Sequence, residues 1–236
     1  MVREDNIIKK ARITLNDTNE DLYRWSNERL MSLLNEAQND MCRNIPMIVN
    51  RASINTVDGQ EEYKLPYGSI KLITAFSDKI PLQLVSYDEI ERSYPEWETD
   101  SADSYTAIIV NALSQRVIRP YPICGNKMIK IRYQSMPIQL GWDELTNDIK
   151  EELAIDDMWD MGLKQYVIAY AFLDYGDESS ISRAQLALGL YGKEFKRAEN
   201  LARKSFSKRN PTTGYQARVS SRKLGGQYGC STRYNY

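Results

Sequence analysis

Two groups of carboxylates and three thiols are the side chains whose types and spacing could do chemistry in this chain. Glu96, Glu98, Asp100 and Asp103 offer oxygen donors of the kind calcium takes. They lack the spacing and central glycine of a calcium loop, so a solvated acidic loop accounts for them. Asp156, Asp157 and Asp160 could divide acid and base roles between them. A hydrolase of phosphate esters or of cell wall would have to draw its acid pair from these two groups. Ahead of a helical period, however, such aspartates are explained by capping and by the positive end of the helix dipole. Cys42, Cys124 and Cys230 could hide a nucleophile, but the sequence contains no histidine to activate one. That excludes serine–histidine and cysteine–histidine catalysis and removes the commonest ligand of transition metals. The cysteines are odd in number, widely spaced and free of any C-x-x-C pair, which reads as reduced thiols and not as a disulfide framework or zinc site. No catalytic residue, no cofactor and no metal are expected from these side chains.

Charge is distributed unevenly. The 236 residues carry 31 basic and 32 acidic side chains. From Ser207 onward there are six basic residues and no acidic one, which leaves 25 basic against 32 acidic before that point, a net of −7. An acidic body therefore carries a basic tail, in which Tyr215, Tyr228, Tyr234 and Tyr236 are interleaved with Arg218, Arg222, Lys223 and Arg233. Such a tail could bind nucleic acid through phosphates and stacking. It could equally lie along a protein groove and order on contact. Six cations across thirty residues are dilute for a nucleic-acid arm, so protein docking is favoured. The chain is long enough to bury a substantial core, and no uncharged apolar run approaches the roughly 20 residues of a membrane helix. No membrane partner is expected.

The elements that hold these groups follow from periodicity. Residues 4–15 and Ser26 to Arg43 have helical spacing. Ser26 suits an N-cap, and Trp25 and Leu30 have the separation of a hydrophobic staple. Leu30, Leu33, Leu34, Ala37 and Met41 form the stripe of the second helix. After Pro46 the pattern alternates. Ser53–Val57, Glu62–Leu65, Ile70–Phe76, Pro81–Val85, Tyr105–Val110, Arg116–Arg119 and Met128–Tyr133 read as strands. Asp58-Gly59 predicts a hairpin between the first two, and Ser86-Tyr87-Asp88-Glu89 predicts a capped short helix. Tight turns imply an antiparallel sheet. Helical period returns from Asp156 or Asp157 to Tyr175, with Gly176 as C-terminal stop, and again over Ser182–Phe206. The expected structural core includes Trp25, Leu30, Leu34, Trp159, Leu163 and Tyr166.

Taken in order, Ala11-Arg12…Leu15-Asn16-Asp17, Arg24-Trp25-Ser26…Leu30…Leu34-Asn35-Glu36-Ala37-Gln38 and Tyr63-Lys64-Leu65-Pro66 form an ordered set. Pro120-Tyr121-Pro122, Arg132-Tyr133…Pro137 and Leu153…Asp156-Asp157…Trp159…Leu163…Tyr166-Val167 continue it. Across roughly residues 5–205 the chain resembles the head-to-tail connector (adaptor) proteins of tailed bacteriophages. The resemblance implies a structural virion protein without enzyme activity that assembles as a dodecameric ring beneath the portal protein; with no signal-peptide pattern at its N-terminus, the chain is expected to be made in the host cytoplasm. Such a ring extends the DNA channel, lets DNA pass without specific binding, and offers a docking surface to the tail or next connector component.

These readings combine into an α+β expectation: a helical bundle body with an inserted antiparallel β region and an extended C-terminal tail. Residues 1–46 supply the N-terminal helices of the body, 47–140 the antiparallel β insertion, 141–206 the C-terminal helices and 207–236 a flexible basic tail. Within the tail, Tyr215, Arg218, Arg222, Lys223, Tyr228, Arg233, Tyr234 and Tyr236 are the portal-binding candidates. The alternative is a nucleic-acid-binding protein that uses the same basic, tyrosine-bearing tail.

Overall fold

Local signals set the helices. In the computed structural model, which describes residues 7–111, 116–145 and 148–209, α1 (Ile7–Leu15) precedes a single 3-10 turn and then α2 (Asn27–Asn44). Ser26 starts α2, its hydroxyl accepting from the Arg29 N–H at 3.1 Å. That bond satisfies one of the donors a helix start leaves unpaired. After α2 come β1 (Val49–Asn55), β2 (Tyr63–Lys64), β3 (Ser69–Ser77) and β4 (Ile80–Ser86). Ser86 caps α3 (Tyr87–Ser93) by accepting from the Glu89 N–H at 3.2 Å. β5 (Ala107–Val110), β6 (Val117–Tyr121), β7 (Met128–Ser135), β8 (Trp142–Asp143) and β9 (Asp148–Ile149) follow. A 3-10 turn then leads into α4 (Asp160–Tyr175), which Gly176 ends at φ 74°, and α5 is Glu178–Arg209. The chain divides into two compact units, Met1–Glu199 and Asn200–Tyr236.

A helical bundle body with an antiparallel insertion is not what forms. The fold is mixed α/β, and its largest part is a nearly closed seven-stranded sheet in the order β1-β7-β3-β4-β5-β6-β2. The sheet is not purely antiparallel, because β4 and β5 run parallel, with Gln83 opposite Ala107 and Ser86 opposite Val110. The physical reason lies in the connection. A tight turn would force an antiparallel pair, but α3 and the loop after it supply the long crossover that a parallel pair needs. Asp58-Gly59 does not join a hairpin either. β1 pairs with β7 and β2 with β6, at opposite edges of the sheet. The intervening loop closes instead on the Tyr63 hydroxyl, which accepts from the Val57 N–H at 2.8 Å and donates to the Gln60 carbonyl at 2.8 Å. The first three residues of the expected tail, 207–209, continue α5, and 210–236 fall outside the described residues.

Inside the sheet, Leu72, Ala75, Leu82, Ile108, Ile118, Ile129, Ile131 and Tyr133 form one apolar core. The opposite face is treated differently along its width. Over β4, β5 and β6, Val85, Ala107, Ile109 and Tyr121 pack under Ile90 of α3 and Trp97. Arg119 secures this cover, its guanidinium lying 4.4 Å from the Trp97 ring centre and 2.9 Å from the Glu61 carboxylate. Over β1, β7 and β3 no such cover is present among the described residues.

The helices form a separate layer. α4 lies against both α1 and α2. Leu163, Val167, Ile168 and Phe172 are among its buried residues, so apolar contact surrounds most of the helix. Gly162 lets α5 come close: a Cβ there would meet Glu194 Cβ at 3.2 Å, tighter than ordinary packing. Gln134 at the end of β7 joins layer to sheet, donating to the Cys42 carbonyl and, at 3.3 Å, to that of Ile45. These carbonyls belong to the end of α2, where intrahelical donors run out.

Candidate functional site

The residues that carry the motifs of the N-terminal third converge on one buried polar knot. Arg12 sits on α1 and is only 4% exposed, and Asp17 in the following loop is 6% exposed. The Arg12 guanidinium donates to the Asp17 carboxylate at 2.5 Å, to the Trp25 carbonyl at 2.9 Å and to Asn27 Oδ1 at 2.7 Å. Its carbon lies 3.5 Å from the centre of the Tyr23 ring. Asp17 accepts in turn from the Arg24 N–H at 2.8 Å. Asn16, at φ 55°, turns the chain so that this carboxylate faces back toward α1. Burial lowers the Arg12 pKa from its ordinary value, with the Asp17 charge opposing the shift. The knot commits the Asp17 carboxylate to these donors. It welds α1, the loop and the start of α2 into one rigid corner, because a buried guanidinium is tolerated only when its donors are matched.

A second constellation lies between α2, α4 and α5. Tyr166 stacks on Tyr170 with ring centres 4.4 Å apart and meets Tyr191 edge-on at 5.2 Å. The Tyr191 hydroxyl donates to the Asp40 carboxylate of α2. Desolvation, followed by the Asp40 contact, pushes the Tyr191 pKa up, so the phenol stays a donor. Nearer solvent, Arg29 makes a forked contact with Asp174, at 2.7 and 2.8 Å. Beside α2 runs a groove of about 400 Å³ with a mixed lining that includes Glu28, Met31, Asn35, Glu36, Leu140 and Trp142. Asn35 fixes one wall by a paired contact with Leu140, accepting from its N–H at 2.8 Å and donating to its carbonyl at 3.0 Å.

The sequence matches the family model described as SU10 adaptor protein over residues 5–218. The chain belongs to the SU10 adaptor protein family. It is a structural head–tail adaptor of a phage and a component of the virion, and its partners are other head or tail components. No curated protein matches the chain significantly.

Within this adaptor, Trp25, Leu30, Leu34, Trp159 and Leu163 are buried and Tyr166 is half-buried. Trp159 also lies under the Arg197 guanidinium, 5.8 Å from it. The acidic groups weighed for chemistry lie in two places, the loop after α3 and the turn that leads into α4. Glu96, Glu98 and Asp103 are exposed along the loop of the α3 cover, and Asp100 accepts from the Tyr121 hydroxyl at 2.6 Å. Asp156 caps a 3-10 turn by accepting from the Met158 N–H at 3.0 Å. Among the described residues no three His, Cys, Asp or Glu side chains gather as a metal site, and no helix is long and apolar enough to cross a membrane. Cys42 is fully buried and desolvation pushes its pKa up to about 12, whereas Cys124 is half-buried. Cys230 and the tail candidates Tyr215, Arg218, Arg222, Lys223, Tyr228, Arg233, Tyr234 and Tyr236 lie outside the described residues. The Arg12–Asp17 pairing escaped composition and periodicity. Its signal was an arginine on the apolar side of a short helix with an aspartate five residues on.

Proposed function

We propose that the adaptor is a head-to-tail connector whose copies form a ring beneath the portal, extend the DNA channel and present the surface on which the tail is built. The observation that carries this reading is the family match, which runs through the knot, the sheet and the helices alike. The body supports it with apolar side chains left for neighbours. Leu186 and Leu190, one turn apart on α5, are 69% and 38% exposed. The net charge of −7 before Ser207 suits a channel wall that repels duplex and lets it slide. A dodecamer is the copy number the resemblance implies.

In this proposal the basic tail is the anchor. Its tyrosines supply flat contact area at little rotamer cost, and Arg218, Arg222 and Arg233 can fork onto carboxylates of the portal. Deleting residues 211–236 leaves a folded body that no longer binds purified portal in a pull-down. Undiminished binding by the truncated chain would assign the anchoring to the body instead.

A further inference from the structure

Side chains from β1, β2 and every strand between them reach a single interior. A sheet that wraps one core turns its outer surface through widely different directions. Charge on that surface is sorted by strand. The cover over β4, β5 and β6 exposes Asp88, Glu89 and Glu91 from α3 and Glu96, Glu98 and Asp103 from the loop, with Arg92 the only basic residue between Ser86 and Tyr105. The bare part over β1, β7 and β3 has the opposite sign. Its outward positions carry Arg51, Lys71, Lys130 and Arg132 and no carboxylate, because Ile54, Ile129, Ile131 and Tyr133 take the alternate, inward places.

Register packs these cations together. Arg51 lies directly opposite Arg132, and Lys130 lies between Ser53 and Phe76. Like charges facing each other across a strand pair destabilise it unless a counter-charge is supplied. None of the four takes part in an ion pair among the described residues. Arg132 Nε and its neighbour Thr74 Oγ1 are shielded from solvent yet have no hydrogen-bond partner. A depression of about 380 Å³ opens here, lined by Arg51, Ser53, Phe76, Lys130 and Arg132.

We propose that the bare cationic part of the sheet docks the acidic α3–Trp97 cover of a second copy of this chain. This rests on the ring reading above and names the surfaces that would join neighbours. The two surfaces differ, so the contact is head-to-tail, and a head-to-tail contact that repeats can close into a ring. Duplex DNA is the rival occupant of a cationic face, but the body's net −7 opposes its approach, whereas the cover supplies carboxylates on the same chain.

The test uses full-length protein with purified portal, and reads assembly by sedimentation and imaging. Arg51→Glu/Lys130→Glu weakens association between copies by about tenfold or more, and Glu96→Lys/Glu98→Lys does the same from the other side. Mixed in equal amounts, the two variants regain assembly, because each restores the other's missing complement. All four positions are exposed, and circular dichroism of each variant checks its fold. Rings that form equally well with every variant overturn this docking and leave the ring reading standing. If wild-type protein forms no ring, the ring reading falls and this docking with it. Loss of duplex binding in a mobility shift, with assembly unchanged, would identify DNA as the occupant and overturn the proposal.

Discussion

In the helical layer, Arg12 and Asp17 are buried as charges and linked to Trp25, Asn27 and the Tyr23 ring. In the sheet interior the clustered buried side chains are aliphatic or tyrosine, and among the described residues the buried charged side chains are Arg12 and Asp17, both of the helical layer. The two regions solve the same problem with different tolerance for error. An apolar core loses stability in proportion to the methyl groups removed and to the cavity left behind. A buried ion pair has no such gradation, since removing either partner strands a charge whose desolvation was already spent. The knot therefore fixes one geometry of α1 against α2, which an adaptor needs if its outer surfaces are to meet several partners at once.

That contrast can be broken most forcefully at the aspartate. Asp17→Asn leaves Arg12 buried without a counter-charge and costs about 3–5 kcal/mol, read as a fall in denaturant midpoint. A loss under about 1 kcal/mol would show that water reaches the guanidinium and that the knot is no weld. A smaller change sharpens the other side. Ile131→Val removes one methylene from the fully buried centre of β7 and costs about 0.5–1.5 kcal/mol. A cost as large as that of the aspartate change would erase the distinction between the two regions.

How much of this was readable in the sequence depends on how local each signal is. Ser26, Ser86 and Gly176 act within one turn of chain, and each stands at the helix end that its type suggests. Most strand positions were also readable, because alternation is local: the expected Met128–Tyr133 is matched by β7, Met128–Ser135, whereas β1, Val49–Asn55, begins four residues before the expected Ser53–Val57. Pairing was not. Asp58-Gly59 is a strong turn dipeptide, yet β1 and β2 lie at opposite edges, since their partners are β7 and β6 far along the chain. The parallel β4–β5 pair was hidden for the same reason. So was the cationic part of the sheet, whose residues come from three strands that only the fold makes neighbours. β8 and β9 are two residues each, too short to show a period.

The connector reading stands on assembly, and assembly can be seen. Full-length protein is mixed with purified portal and imaged by electron microscopy, with image averages computed down and across the portal axis. A second ring stacked coaxially on the portal, with its opening in line with the portal channel, is the result this account predicts. Portal rings that stay bare, or that carry single copies scattered around their rim, would contradict it.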